Sequence, residues 1–214
     1  MDNVTVKESK IGVMGGSFDP IHYGHLIAAE RAREELALDK VLFIPSNRQP
    51  QKQAKVQSSP LDRYRMTGLA IASNAGFELS DIEIRRGGAS YTVDTLVALL
   101  DLYSGTQLFF ITGADAILGI NTWKNPAELL SLCKFVAVTR PGYNLDSIWR
   151  IAGDFVKYPE KSIIGLAIPG LELSSTEIRD RVRDGRSIKY MLPDDVIDFI
   201  AEQGLYRSYR LEKS

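Results

Sequence analysis

The segment 15–25, Gly-Gly-Ser-Phe-Asp-Pro-Ile-His-Tyr-Gly-His, constrains the fold of this chain more than any other stretch. Residues 10–14 before it are mostly apolar and predict a short buried strand, while residues 26–38 after it carry apolar side chains at helical spacing. The segment is therefore predicted to be the turn between a first strand and a first helix. In open α/β sheets, ligands bind at this edge, beyond the carboxyl ends of the strands.

A phosphate group is the ligand that suits this turn. Gly15 and Gly16 allow the backbone to approach a ligand closely, and the start of the next helix offers unpaired N–H groups with a partial positive charge. His22 and His25 are the only histidines of the chain, and a spacing of three places them on one helical face if the first turn begins near His22. Two histidines after a Gly-Gly turn favour phosphate chemistry over simple capping of the turn.

The length and composition of the chain limit what it can be. Its 214 residues predict a single domain over residues 1–214 with a sizeable core. A formal net charge of −1 argues against a general polyanion binder, so nucleic acid is not expected as a partner. No apolar run approaches membrane-spanning length and the N-terminus lacks a secretory pattern, so we expect no membrane partner and a cytoplasmic location. The single Cys133 excludes an internal disulfide and a cysteine-rich metal site, and a buried thiol is predicted there.

Predicted strands alternate with predicted helices along the chain. Further strands are predicted at residues 39–45, 77–84, 107–112, 134–139 and 162–168. Further helices are predicted at residues 60–73, from about residue 93, from residue 174 and at residues 193–203. This alternation predicts an α/β protein with a doubly wound parallel sheet and helices on both faces.

The motif at residues 15–25 resembles the N-terminal motif of the nucleotidyltransferase superfamily that has an (H/T)xGH core. Its full form resembles that of the bacterial nicotinate-mononucleotide adenylyltransferases, and the resemblance extends from about residue 11 to residue 206. It includes the patterns Ile-x-Gly-x-Asp at residues 111–115, Arg-Pro-Gly at residues 140–142 and Ser-Ser-Thr-x-Ile-Arg at residues 174–179. It implies a Rossmann-like nucleotidyltransferase fold whose C-terminal helical part, about residues 171–210, carries the last pattern.

The resemblance implies that the chain joins nicotinate mononucleotide to ATP, with Mg²⁺ carried by the triphosphate, and forms nicotinate adenine dinucleotide (deamido-NAD) and pyrophosphate in NAD biosynthesis. The residues expected to be catalytic are Ser17, His22, His25 and Lys52. The residues expected to bind ATP are Gly15, Gly16, Asp19, Gly113, Asp115, Ser175, Thr176 and Arg179. The residues expected to bind nicotinate mononucleotide are Ser90, Tyr91, Thr92, Trp123 and Arg140. No protein side chain is expected to ligate a metal, the expected partners are the two small-molecule substrates, and the oligomeric state, including a homo-oligomer, is left open.

Residues 46–59 form a long basic stretch without an acidic residue. A loop of this length in a compact domain is often functional, and its place after a strand puts it at the same edge as the Gly-Gly turn. Two interpretations are open, a solvated basic loop and a phosphate-binding lid. The resembling family often has Pro-Pro-His-Lys here; Lys52 matches its lysine, but Gln51 stands where histidine is common.

Several other candidates also have a structural interpretation. Ser90 or Thr92 could cap a helix, whereas the family places this segment beside the nicotinate pocket, where backbone N–H groups bind the carboxylate. Asp115 follows a strand and suits either a helix cap or a hydrogen bond to a ribose hydroxyl. Trp123 suits either the core or stacking on the pyridine base. Ser174, with a glutamate three residues later, is explained as a capping box.

The chemistry follows from two predicted helix-start anion sites. One contains Ser17, His22 and His25, the other contains Ser175, Thr176 and Arg179, and Lys52 could cover both. The chain has neither a P-loop motif nor Gly-x-Gly-x-x-Gly. Direct in-line attack on the α-phosphate suits this arrangement, because a phosphate monoester is already a nucleophile at neutral pH. Phosphopantetheine adenylyltransferases and glycerol-phosphate cytidylyltransferases share the histidine core and remain alternatives. A non-catalytic nucleotide sensor is an alternative of another class.

Overall fold

The computed structural model describes residues 9–50, 57–139, 142–168 and 173–207. The strands of its sheet are β1 (Ser9–Gly16), β2 (Lys40–Pro45), β3 (Phe77–Leu79), β4 (Thr106–Gly113), β5 (Lys134–Thr139) and β6 (Ile163–Ala167). All of them are parallel, in the order β3-β2-β1-β4-β5-β6. This order reverses direction between β1 and β4, which is the switch point where doubly wound sheets bind ligands. The predicted fold class is confirmed.

The strand register brings the predicted site residues to one edge of the sheet. Gly16 at the end of β1 pairs with Pro45 at the end of β2, and Gly113 at the end of β4 pairs with Val138 of β5. The loops that follow β1, β2 and β4 therefore leave the sheet side by side.

Helices connect the strands. The helices before β4 are α1 (Tyr23–Glu35), α2 (Pro60–Ile71), α3 (Ile82–Arg86) and α4 (Thr92–Leu102). Those after β4 are α5 (Ala114–Leu118), α6 (Pro126–Leu132), α7 (Asp146–Ala152), α8 (Pro159–Ser162), α9 (Ser175–Arg183) and α10 (Asp194–Glu202), with a 3₁₀ turn at Ile120–Thr122. None of the described helices is long and apolar enough to cross a membrane.

Two apolar clusters cover the two faces of the sheet. Helices α1, α2, α9 and α10 pack on one face, and α4, α5, α6 and α7 pack on the other. Along β1 the side chains alternate between them, because Met14 belongs to the first cluster while Ile11 and Val13 belong to the second. The strands read as continuous apolar runs because both faces are buried. Cys133 lies in the second cluster, so the predicted buried thiol is confirmed.

Most boundaries differ from the predictions by one to three residues, and two of the differences have a clear structural reason. The strand predicted at residues 77–84 ends at Leu79, and α3 begins at Ile82. Asp81 and Arg85 form an ion pair of 2.8 Å across one helical turn, and the buried Glu83 carboxylate accepts a hydrogen bond of 2.6 Å from the Thr95 hydroxyl of α4. The alternation of apolar and acidic residues at positions 81–84 therefore belongs to one turn of helix and not to a strand. Helix α1 begins at Tyr23 rather than residue 26, which places His22 at its N-cap, as the spacing of the two histidines required.

Candidate active site

A cavity of about 980 Å³ opens at the carboxyl edge of the sheet, between the ends of β1 and β4. The predicted site residues that line it are Gly15, Gly16, Ser17, Asp19, His22, His25, Ser90, Tyr91, Thr92, Gly113, Asp115, Trp123, Ser175, Thr176 and Arg179. Lys52 and Arg140, and with them Gln51, lie outside the described residues. The structure therefore brings every described candidate into one space, although their positions span most of the sequence.

The histidine pair sits where β1 passes into α1. The backbone N–H of His22 donates to His25 Nδ1 over 3.3 Å, and the two ring centroids lie 3.8 Å apart. The ring of Phe18 stands edge-on to His25 at 5.1 Å. Burial lowers the pKa of His22 to about 4. At neutral pH the His22 imidazole is therefore uncharged and can act as an N–H donor rather than as a cation.

Gly24, the residue one position before His25, leaves room for the ring of His22. A Cβ at this position would lie 3.0 Å from both Cε1 and Nδ1 of His22, a contact so tight that the ring would have to shift by a few tenths of an ångström. Since His22 is itself buried, its ring has little room to move away. The glycine between the two histidines thus lets the imidazole of His22 approach the backbone of the first turn of α1.

Asp19 ties the first turn to distant parts of the chain. It is only 2% exposed, and its carboxylate accepts hydrogen bonds from the backbone N–H groups of Gln57 (2.8 Å) and Ser58 (3.2 Å). The Ser58 hydroxyl and the Tyr206 hydroxyl (2.8 Å) donate to the same carboxylate. Burial raises the pKa of Tyr206, so its phenol stays protonated and acts as the donor. The contacts shown for Asp19 are thus to protein groups, and its assignment to ATP binding stays a prediction.

The start of α9 is attached directly to the same turn. Ser174 caps the helix by accepting from the Glu177 N–H at 3.1 Å, which is one half of the predicted capping box. The Glu177 carboxylate instead accepts from Arg181 at 3.4 Å. The Ser175 hydroxyl donates to the Pro20 carbonyl at 2.8 Å, and Arg179 Nη1 donates to the Asp19 carbonyl at 2.7 Å. The two predicted anion sites are therefore neighbours, joined by hydrogen bonds rather than merely facing each other.

The loop after β2 is attached to this turn and to the start of α4. The Ser17 hydroxyl donates to Gln49 Oε1 at 2.7 Å. The Ser90 hydroxyl accepts from the Asn47 N–H at 2.9 Å. The alternative that Ser90 or Thr92 caps α4 is wrong, because Tyr91 occupies the N-cap and no side chain caps this helix. The side chain of Ser90 is instead used to hold the neighbouring loop.

The other end of the cavity is formed by α5 and the segment after it. Gly113 is the N-cap of α5, so the alternative that Asp115 caps this helix is wrong. Asp115 lies in the first turn of α5 and is exposed at the cavity. The half-buried Trp123 ring packs edge-on against Phe110, with ring centroids 6.0 Å apart, and also lines the cavity. Trp123 thus packs against the second apolar cluster and also faces the cavity, and its stacking on a ligand stays a prediction.

The sequence analysis did not identify three residues that contact or line the site, which are Arg63, Glu83 and Thr95. Arg63 donates to the carbonyls of Ser17 (2.7 Å) and Asn47 (3.0 Å). Glu83 and Thr95 line the cavity beside Ser90. Within the described ranges, no group of three or more His, Cys, Asp or Glu side chains could hold a metal ion.

Comparisons with known proteins place the chain in a family. The family model described as cytidylyltransferase-like matches residues 13–181. A protein of Desulfitobacterium hafniense (strain Y51) named "probable nicotinate-nucleotide adenylyltransferase" is 46% identical over 96% of this chain and 99% of its own length. A protein of Moorella thermoacetica with the same name is 48% identical over 96% of this chain and 95% of its own.

Solved structures show the same fold. The Plasmodium falciparum nicotinic acid mononucleotide adenylyltransferase, complexed with NaAD, matches with a TM-score of 0.75 at 22% identity. The match covers 92% of this chain and 97% of that one. From its match over residues 13–181 and its near-full-length relatives, the chain belongs to the cytidylyltransferase-like family, and within it to the nicotinate-nucleotide adenylyltransferases.

Proposed function

We propose that this chain transfers the adenylyl group of ATP to nicotinate mononucleotide, forming deamido-NAD and pyrophosphate in NAD biosynthesis. The observation that carries the proposal is the single cavity of about 980 Å³ in which both helix-start anion sites meet the pyridine-side residues. Two nucleotides that react with each other must be held in such a shared space, so that the attacking oxygen lies in line with the bond that breaks. The names of the near-full-length relatives support the same reaction.

The reaction requires alignment and charge stabilisation more than a catalytic base. An oxygen of the nicotinate mononucleotide phosphate forms a bond to the α-phosphorus of ATP. The bond from that phosphorus to the β-bridging oxygen breaks, and pyrophosphate leaves with the electron pair. A phosphate monoester is already anionic at neutral pH, so no proton has to be removed first. Rate acceleration then rests on donors aimed at the α-phosphate in the transition state.

The residues at the β1–α1 turn and at the start of α9 are assigned to the phosphates. His22 and His25 donate to the α- and β-phosphates, and the neutral His22 imidazole contributes an N–H donor without charge. Ser175, Thr176 and Arg179 serve the triphosphate from the start of α9, whose N–H groups suit an anion. The remaining assignments at this end are Gly15, Gly16, Ser17, Asp19 and Lys52. Mg²⁺ enters as part of the Mg·ATP substrate.

The pyridine nucleotide is assigned to the other end of the cavity. The eleven-residue helix α4 begins without a side-chain cap, so backbone N–H groups near Thr92 are suited to the nicotinate carboxylate. Trp123 offers the face of its indole for stacking on the pyridine ring. Ser90, Tyr91 and Arg140 complete this set. On the ATP side, Gly113 and Asp115 are assigned to the adenosine, with the exposed Asp115 carboxylate suited to a ribose hydroxyl.

Pyrophosphate release from Mg·ATP and nicotinate mononucleotide tests the proposal. His22→Ala should lower kcat by roughly 10²–10³, by analogy with the loss of one transition-state donor. Arg65→Met, on the exposed face of α2, is the matched control and should leave kcat unchanged. ATP binding without turnover would identify a nucleotide sensor instead, and turnover only with phosphopantetheine would assign the chain to the other adenylyltransferase family. An unchanged kcat in His22→Ala would remove the role given to His22.

A further inference from the structure

Arg63 of α2 is buried to an unusual degree for a cation. Arg63 is only 1% exposed, and within the described ranges its side chain forms no ion pair with a carboxylate. Burial lowers the pKa of its guanidinium, an effect that the nearby Asp19 carboxylate opposes. Buried charges are costly unless they are paired and hydrogen-bonded. A buried charge at this position therefore indicates a role beyond filling space.

The donors of Arg63 reach two different loops at the cavity edge. Nη1 donates to the Ser17 carbonyl at 2.7 Å, and Nη2 donates to the Asn47 carbonyl at 3.0 Å. Ser17 belongs to the turn after β1, and Asn47 belongs to the loop after β2. The rigid fork of a guanidinium can hold both carbonyls at once, which a lysine ammonium on a flexible stem does less well.

The turn that Arg63 holds is strained. Phe18 has a φ of +48°, in the left-handed region that costs energy for a residue with a Cβ. The carbonyl before Phe18 is held by Arg63, and the carbonyl of the next residue, Asp19, is held by Arg179 at 2.7 Å. Such a conformation persists only where its surroundings over-determine it. Two guanidiniums from α2 and α9 supply that constraint.

The constraint also sets the direction of a backbone donor. In a trans peptide, the carbonyl and the following N–H point to opposite sides. A Ser17 carbonyl turned towards Arg63 therefore turns the Phe18 N–H away from it. Ser17 and Phe18 both line the cavity, whereas Arg63 is not one of its lining residues. The turn thus lies between the buried guanidinium and the space assigned to the substrates.

We propose that Arg63 is a positioning residue that holds the Ser17 and Asn47 carbonyls, so that the turn at residues 15–19 presents its backbone, with the Phe18 N–H, to the substrate. The proposal rests on the adenylyl-transfer function given above. It assigns Arg63 no direct contact with substrate. Its effect should therefore fall on the alignment of the reacting groups, and hence on kcat.

The test compares Arg63→Met, Arg63→Lys and the control Arg65→Met, an exposed position on the same helix. For each folded variant, kcat and the KM of nicotinate mononucleotide come from pyrophosphate release, and the Kd of Mg·ATP comes from calorimetry. Arg63→Met should lower kcat by roughly 10²-fold, the cost of a small misplacement of reacting groups, and weaken Mg·ATP binding. Arg63→Lys should recover part of the loss, and Arg65→Met should match the wild type.

A purely structural role would lower the unfolding temperature while leaving kcat and the Kd of Mg·ATP within twofold in the folded variants, and this result would overturn the proposal. If Arg63→Met does not fold, Arg63→Lys decides by the same criterion. If neither folds, Arg63 is a folding residue and the proposal is overturned as well. An inactive wild type would instead refute the proposed function, and the Kd of Mg·ATP would still test Arg63.

Discussion

The burial of His22 makes the stability of this protein depend on pH in a defined direction. The ordinary pKa of 6.5 applies in the unfolded chain, whereas burial lowers it to about 4 in the folded protein. Between these values the unfolded state takes up a proton that the folded state refuses. Stability from this group is therefore fully present above pH 6.5 and is lost as the pH falls towards 4. At about 1.4 kcal/mol for each pH unit, the full loss is about 3 kcal/mol.

Urea unfolding of the wild type and of His22→Gln measures this contribution. Glutamine keeps a polar side chain of similar length but does not titrate, and the other titrating groups contribute alike to both proteins. On lowering the pH from 7.5 to 4.5, the wild type should lose about 2.5 kcal/mol more than the variant. Equal losses in the two proteins would show that His22 titrates normally, and would refute the neutral donor assigned to the phosphates.

Two further predictions concern the support of the first turn. Gly24→Ala should lower kcat by at least about 10-fold, because the new Cβ would lie 3.0 Å from the His22 ring. The free energy of unfolding should change by less than about 1 kcal/mol, because alanine favours a helix. A wild-type kcat in this variant would contradict the prediction. Tyr206→Phe should lower the free energy of unfolding by about 1–3 kcal/mol, because the Asp19 carboxylate loses a buried donor. Tyr190→Phe, at an 82% exposed position, is the control and should have no effect in the same urea titration. Equal stability of the two tyrosine variants would refute the role given to the Tyr206 hydroxyl.

The fold was predictable because its signals are local. A buried parallel strand is a short apolar run and a helix has its own period, so the alternation along the chain already specifies a doubly wound sheet. The strand that was wrongly predicted to continue to residue 84 also came from a local pattern. An alternation of apolar and acidic residues fits either a strand or one turn of helix. Here the helical turn is the one that lets the Glu83 carboxylate accept a hydrogen bond from the Thr95 hydroxyl. That partner of Glu83 lies twelve residues further on, in α4.

The candidate site was predictable where its residues lie in a recognisable motif or, as for Trp123, where the family resemblance pointed to them. The segment 15–25 and the start of α9 could be recognised by their spacing, and the structure places both at one cavity. Arg63 and Tyr206 could not be recognised in this way, because their partners Ser17 and Asp19 lie 46 and 187 positions away. No period or spacing in the sequence connects such pairs. They are brought together by the packing of α2 and the C-terminal segment on one face of the sheet.

The measurement that tests the account most directly is kcat/KM for pyrophosphate release from Mg·ATP, with nicotinate mononucleotide and nicotinamide mononucleotide compared. The two substrates differ only in a carboxylate or an amide, so their ratio isolates the pyridine end of the cavity. We predict turnover with a preference of roughly 10²-fold or more for the acid, because backbone N–H groups at the start of α4 bind a carboxylate more strongly than an amide. Comparable rates would contradict the pocket near Thr92. Absence of pyrophosphate release with both nucleotides would contradict the adenylyl transfer itself.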